Sequence, residues 1–234
     1  MALVTVVSVA LYGSERPRSR PMRAVPEAVP FAGVEYKLLT NNAEKAKAAG
    51  WDVKVIDQHD NLRLKAREIK SNVHHFFAKS AYWLWIDSGM QIRENPQVLV
   101  TKYLERHDIC LQPHPHRSNC LQEGEAIRAN ANLGTQRKGA REALRRYKEE
   151  GYMPIGLYET NVLLRRNTPK VREFNEIWWK EIEHRCIRDQ VSFTYAAWKV
   201  GLAINAFPGS NKERNKAPPT FKHLPVWKEV VRAW

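Results

Sequence analysis

The chain has 234 residues, of which 43% are hydrophobic, with eight tryptophans and a formal net charge of +13. That is enough apolar material for one domain with a substantial core, and the excess of basic residues favours a polyanionic partner: nucleic acid, acidic glycan or an anionic membrane surface. Three cysteines, an odd number, argue against a disulfide framework.

The opening run Ala2–Leu11 is too short to span a bilayer and lacks a basic leader, so it reads as a buried β-strand over 3–11. No other stretch approaches transmembrane length, and the expectation is a soluble, cytoplasmic protein with no membrane partner. The strand ends at Tyr12-Gly13, the usual position of a ligand-facing loop. A Pro- and Arg-rich segment from Ser14 to Arg23 follows and reads as a basic loop. Val34–Leu39 reads as a second strand, Asn41–Lys47 as a short helix and Asp52–Ile56 as a third strand. Leu62–Phe77 carries apolar residues at helical spacing, which sets Arg67, Lys70 and His74 on another face.

Tyr82-Trp-Leu-Trp-Ile86 is an unbroken apolar run that stops at Asp87-Ser-Gly. It reads as a central buried strand delivering one carboxylate to the carboxyl edge of a sheet, where open α/β folds bind ligands. A turn-capping role for Asp87 is the competing reading. Beyond it lie a strand at Ile109–Gln112, a basic helical region from Glu123 to Glu150, and a strand at Leu157–Arg165. A helix at Val171–Cys186 and a final core helix from Asp189 to Trp198 precede a Lys-, Asn- and Pro-rich tail at Ser210–Pro219. Phe221–Trp234 is expected to fold back on the domain. Alternating strands and helices define an α/β sandwich with an irregular second half.

Several short motifs occur in order: Ala66-Arg-Glu-Ile-Lys70, Trp85-Ile-Asp-Ser-Gly-Met-Gln-Ile92, His114-Pro-His-Arg117, Glu123 and Glu150-Gly-Tyr. Gly156-Leu-Tyr-Glu-Thr-Asn161, Arg165-Arg166, Trp178-Trp179 and Arg188-Asp-Gln190 complete the set. Over roughly residues 3–207 the chain resembles the glycosyltransferase-like domain found in plant mucilage-related proteins and in many bacterial and phage proteins. The resemblance implies a GT-A type fold in a single domain. A Rossmann-like sheet over about 1–110 would bind the nucleotide sugar, and the acceptor would bind the half from about 111 to 234.

Under that resemblance Tyr12, Gly13, Arg67, Lys70 and Asp87 are the candidate residues for a UDP-sugar donor. Tyr12 would stack on the base, and Arg67 and Lys70 would clamp the diphosphate or the sugar hydroxyls. Asp87 matches the first position of the family's Asp-x-Asp-like metal motif, but residue 89 is Gly. Mn²⁺ or Mg²⁺ therefore needs diphosphate oxygens and a further ligand, for which His223 is the candidate. Asp189 is expected to be the general base or to orient a sugar, while also suiting the N-cap of the helix that runs to Trp198. His114, Arg117, Glu159, Asn161 and Arg188 are the candidate acceptor-binding residues. Zinc on Cys110, His114, His116 and Cys120 is disfavoured by the spacing and by the intervening prolines.

Basic residues concentrate at 15–23, 137–148 and 212–222. Some phage and TET-associated glycosyltransferases modify hydroxymethylated pyrimidines in DNA, and this short, basic chain is similar in kind. The expected acceptor is accordingly DNA carrying 5-hydroxymethylpyrimidine. A glycosyltransferase acting on a polysaccharide, protein or small molecule is the alternative, and a non-catalytic nucleic-acid-binding module is the second.

Overall fold

A computed structural model describes residues 2–13, 25–46, 48–208 and 221–223. Its centre is a seven-stranded sheet ordered β3-β2-β1-β4-β7-β6-β8. The strands are β1 (Val4–Ala10), β2 (Val34–Thr40), β3 (Asp52–Val55), β4 (Tyr82–Ile86), β6 (Ile109–Pro113), β7 (Tyr158–Arg166) and β8 (Ile204–Ala206). Only β7 runs against the rest, antiparallel to both β4 and β6. A separate two-stranded ribbon pairs β5 (Met90–Ile92) with β9 (Phe221–His223). The α-helices among the described residues are α1 (Leu62–Ser71), α2 (Val73–Phe76), α3 (Pro96–Tyr103), α4 (Cys120–Ala129), α5 (Gly134–Glu149), α6 (Pro169–His184) and α7 (Asp189–Lys199). The architecture is the α/β, GT-A-like Rossmann arrangement. No helix among the described residues is long and apolar enough to cross a membrane.

Alternation along the strands builds two cores. Val4, Val6, Leu84 and Ile86 face one side, where Leu99 and Tyr103 of α3 cover them. Val7, Trp83 and Trp85 face the other side, beneath Ile69 of α1, Val73 of α2 and Phe174 and Trp178 of α6. Two-sided burial explains why β4 reads as a continuous apolar run. Each of its buried indoles has an acceptor: Trp83 Nε1 donates to Phe77 O at 2.9 Å and Trp85 Nε1 to Asp87 Oδ1 at 2.7 Å. A third cluster, with Ile127 of α4, Ala140, Ala143 and Tyr147 of α5 and Tyr195 of α7, packs the α4–α5 hairpin against α7.

Two local expectations are corrected. Residues 41–46 hold a turn rather than a helix: the Asn41 amide exchanges hydrogen bonds with Tyr12 N and O, and Asn42 Oδ1 accepts from Lys45 N. Side chains that bond the backbone in this way compete with helical turns; Lys47 lies outside the described residues. The helix expected over 62–77 breaks at Asn72, because the buried Arg165 guanidinium takes the carbonyls of Lys70 (2.7 Å) and Ser71 (3.1 Å). The basic helical region expected over 123–150 is present as the hairpin α4–α5, divided by a 3₁₀ turn at Ala131–Leu133. Helix α3 was not anticipated, although Asn95 caps Gln97 N and Pro96 occupies the first turn. The basic segment 14–23 and the tail 210–219 lie outside the described residues, as does Leu224–Trp234.

Candidate active site

The carboxyl ends of β1 and β4 and the amino end of β7 meet at one edge of the sheet, and α1 crosses above them. Arg63, Arg67 and Lys70 lie four and three residues apart on α1 and so share a face. Below this face is a cavity of ≈ 350 Å³ lined by Val9, Arg63, Arg67, Trp85, Asp87 and Asn161, among others. Arg63 escaped the sequence reading, although it stands one helical turn before Arg67. Burial, together with the Arg67 and Arg188 charges, pulls its pKa below the ordinary arginine value, against the opposing pull of Asp189.

Beneath the cavity lies a buried charge network. Lys70 and Asp189 side chains are 1% and 2% exposed, with Lys70 Nζ 3.0 Å from Asp189 Oδ2. The same ammonium lies 3.1 Å from Thr160 Oγ1 and 3.4 Å from Asp87 Oδ1. Asp189 Oδ2 also accepts from Thr160 Oγ1 at 2.7 Å and forms an ion pair with Arg67, whose Nη1 lies 2.8 Å away. Burial opposes ionisation of Asp189, but the Arg67 and Lys70 charges, with hydrogen bonds from Thr160 and Lys70, outweigh it and hold the carboxyl well below the usual carboxylate range. Chemically, such a group is a fixed anion and a weak base. Asp189 is the first residue of α7 rather than its N-cap, a position held by Arg188, and there its negative charge complements the helix dipole.

Asp87 is different in kind. Its side chain is 41% exposed, and its Oδ1 takes the Trp85 and Lys70 hydrogen bonds. Its other oxygen has no partner among the described residues, which leaves one hard donor facing the cavity. That fits Mg²⁺ or Mn²⁺ held by a single carboxylate with phosphate oxygens and water. Gly89, at φ 86°, turns the chain into β5 directly after Asp87-Ser88. Met90 of β5 pairs in register with His223 of β9, so the backbone of residue 223 lies close to the Asp87 turn; its side chain lies outside the description.

The remaining candidates fall into two groups. Tyr12 and Gly13 follow β1: the Tyr12 hydroxyl donates to Lys45 O at 2.7 Å, and Gly13 stands beside Leu62 at the start of α1. The second group is keyed by Glu123, which is 1% exposed. Arg117 Nε donates to Glu123 Oε2 at 2.5 Å and Arg188 Nε to Oε1 at 2.7 Å. A second nitrogen of Arg117 lies 2.8 Å from His114 Nε2. Burial, then the neighbouring Arg117 charge, lowers the His114 pKa to about 4. Glu159 and Asn161 flank Thr160 on β7, and Asn161 Oδ1 is buried without a hydrogen-bond partner among the described residues. Glu123, Thr160 and Arg165 supply positioning that the sequence reading did not assign. Of the disfavoured zinc set, Cys110 and Cys120 are buried in separate apolar clusters.

A parallel sheet with one reversed strand, a cationic cavity at its carboxyl edge and a lone exposed carboxylate at the end of the central strand mark the ligand-binding edge of a GT-A-like α/β fold. Sequence comparison agrees with that class: residues 35–223 match the TOD1/MUCI70, glycosyltransferase-like domain, and the chain belongs to that family. The protein described as "Probable hexosyltransferase MUCI70" of Arabidopsis thaliana is 27% identical over 177 residues, covering 68% of this chain and 29% of that protein. "Alkaline ceramidase TOD1", also of Arabidopsis thaliana, is 24% identical over 173 residues, covering 68% of this chain and 37% of that protein. The matches thus span about a third of the length of these two relatives.

Proposed function

We propose that this chain is a nucleotide-sugar-dependent glycosyltransferase, transferring a hexosyl or pentosyl group from a UDP-sugar to an acceptor hydroxyl. The observation that carries the reading is the cavity bounded by Arg63, Arg67 and Asp87 at the carboxyl edge of β1 and β4. Two arginines and an open carboxylate oxygen beside one another suit a diphosphate bridged to the protein by a divalent cation. The nucleoside would rest over Tyr12-Gly13. In the transfer, the acceptor oxygen would bond to the anomeric carbon as the bond from that carbon to the diphosphate breaks, and the acceptor proton would pass to the departing diphosphate or to water. Arg63 and Arg67 would stabilise the charge that develops on the departing diphosphate. A Mn²⁺ or Mg²⁺ ion held by Asp87, with His223 as a further candidate ligand, would add Lewis-acid stabilisation of the same charge. Asp189, whose one oxygen already accepts from Lys70 and Thr160 and pairs with the Arg67 charge, would fix Arg67 and Lys70 in place rather than take that proton.

His114, Arg117, Glu159, Asn161 and Arg188 would form the acceptor side. Arg117 and Arg188 reach Glu123 through Nε, which suits an anionic acceptor approaching their outer nitrogens. Within that class we propose DNA bearing 5-hydroxymethylpyrimidine, in a cytoplasmic setting; its support is the net charge of +13. An acidic polysaccharide is the alternative on the same chemistry. Hydrolysis is the second reading, favoured by the ceramidase name of one relative.

The test incubates the full chain with Mn²⁺ or Mg²⁺, a panel of nucleotide sugars and 5-hydroxymethylated DNA, followed by nucleoside mass spectrometry. A hexose or pentose mass on the modified base, lost in Asp87→Ala and Arg67→Ala, supports the full proposal. Donor binding or donor hydrolysis without that mass moves the acceptor to a glycan. No donor binding, with salt-sensitive DNA retention, replaces the enzyme with a nucleic-acid-binding module. Release of a fatty acid from ceramide without sugar transfer establishes the hydrolytic reading.

A further inference from the structure

A second cavity, of ≈ 660 Å³, lies in the hairpin formed by α4 and α5 and is lined by none of the residues assigned above. Its walls are two helical stripes. Leu121, Gly124 and Arg128 mark one face of α4; Gly134, Arg137, Lys138, Arg141 and Leu144 mark one face of α5. The spacings of three and four residues make each stripe continuous along its helix. The helices run antiparallel: Gly124 adjoins Leu144, and Arg137 donates to Asn130 O at 3.3 Å.

The groove is polar along its length rather than across it. At one end Leu121 is 46% exposed, and Leu144 approaches so closely that a Cβ on Gly124 would lie 2.4 Å from its Cδ1. At the other end are Arg128, Arg137 and Lys138, with Arg141 between. Glu125 is the one carboxylate in the lining, set against four cations. Arg128 and Arg141 make no ion pair among the described residues, and Lys138 reaches Glu142 only at 4.0 Å. The α5 N-terminus opens at this cationic end, with no side-chain cap and no acidic residue in its first turn. Both add positive potential at that end. The aliphatic stems of the arginines and Lys138 extend the apolar walls toward their charged tips.

We propose that this groove binds an anionic amphiphile, with an alkyl chain along the Leu121–Leu144 end and a phosphate or carboxylate head at Arg128, Arg137 and Lys138. Charge complementarity selects an anion, and the end-to-end polarity selects a head-and-tail molecule. An acidic amphipathic helix would instead need cations along both edges and an apolar floor throughout. The stripes extend about 10 and about 15 Å at the helical rise per residue, enough for a medium alkyl chain. Gly134 leaves the head end open, with nothing within 4 Å of the position a Cβ would take.

The test is isothermal titration of the full chain with decyl phosphate, at concentrations that leave its circular dichroism unchanged. Saturable binding is expected, with decyl maltoside and methyl phosphate each weaker by about tenfold or more. Gly134→Leu fills open space at the head end without crowding the fold and should weaken decyl phosphate by about tenfold. The surface pair Arg137→Glu/Lys138→Glu should do the same. Flotation with phosphatidylcholine vesicles with and without phosphatidylglycerol separates the two sources of the ligand. Binding to anionic vesicles lost in both variants identifies a bilayer lipid, and decyl phosphate binding without flotation identifies a free amphiphile. Equal binding of decyl maltoside, indifference to both variants, or capture of an acidic amphipathic peptide where decyl phosphate does not bind overturns the proposal.

Discussion

Lys70 and Asp189 show how a site can be built from groups too buried to be substrate ligands. Neither charge is stable alone where it sits, and each is held by the other. Asp189→Asn leaves the Lys70 ammonium with the more distant Asp87 and removes the carboxylate partner of Arg67. The expected loss is about 3–5 kcal/mol in urea unfolding. Lys70→Met combined with Asp189→Leu should recover most of it, because an apolar pair replaces an ion pair, while donor binding stays impaired. Recovery of donor binding in the double variant would reduce the network to packing. His114 carries a pH signature. Its folded-state pKa is lowered to about 4, so the folded protein prefers the neutral ring. A histidine of this kind contributes full stability above its unfolded value of about 6.5 and loses it as pH falls toward the folded one. Thermal melts should therefore decline between about pH 6.5 and pH 4, and His114→Gln should flatten that part of the curve. Sequence alone singled out Arg67 and Lys70 by helix spacing and Asp87 by its strand end, and the structure brings them together with Asp189 around one ammonium and one carboxylate. Thr160 and Glu123 were not legible as site builders, since their partners Lys70 and Arg188 lie 90 and 65 residues away.

At the scale of elements, the long apolar runs and stripes were readable, and the elements held by distant partners were not. Strand β4 announces itself by five apolar residues, but nothing local marks β7 as the reversed strand beside it. The three-residue strands β5 and β8 are defined by pairing rather than by pattern. Helix α1 ends where Arg165, on β7, takes its last carbonyls, an instruction written nearly a hundred positions downstream. Helix α5 carries a similar hidden constraint. Gly139 sits in its interior, where alanine ordinarily stabilises a helix by about 1 kcal/mol. A Cβ there would lie 1.9 Å from the Arg185 carbonyl oxygen, which belongs to the α6–α7 connection. Gly139→Ala should therefore lower stability by about 1–3 kcal/mol, the cost of overpacking against backbone. Gly134→Ala, on the same helix with open space around it, should be neutral or stabilising. Denaturant midpoints of the two variants decide the matter, and equal midpoints would show that the α6–α7 connection yields freely.

For the molecule as a whole, the charge of +13 is unevenly used. Around the site, Asp189 and Glu123 are buried against arginines, so the local excess of positive charge is tied into fixed geometry. On the outer side of α5, Arg145 is matched by Glu149, whereas Arg141 has no ion pair among the described residues. These two settings respond differently to salt. Exposed charges are screened over about 8–10 Å at ordinary ionic strength, while a nucleotide sugar inside a cavity meets charges at hydrogen-bonding distance. If the acceptor is DNA, raising salt from about 50 to about 200 mM should weaken DNA binding by about 10³–10⁵, as for a protein neutralising about six to ten phosphates. Binding of the UDP-sugar over the same range should change far less. Fluorescence anisotropy with labelled DNA and titration calorimetry with the donor give both slopes on one preparation. A shallow DNA slope beside intact donor binding would assign the charge to solubility or to another anionic surface, and the acceptor reading would pass to the glycan.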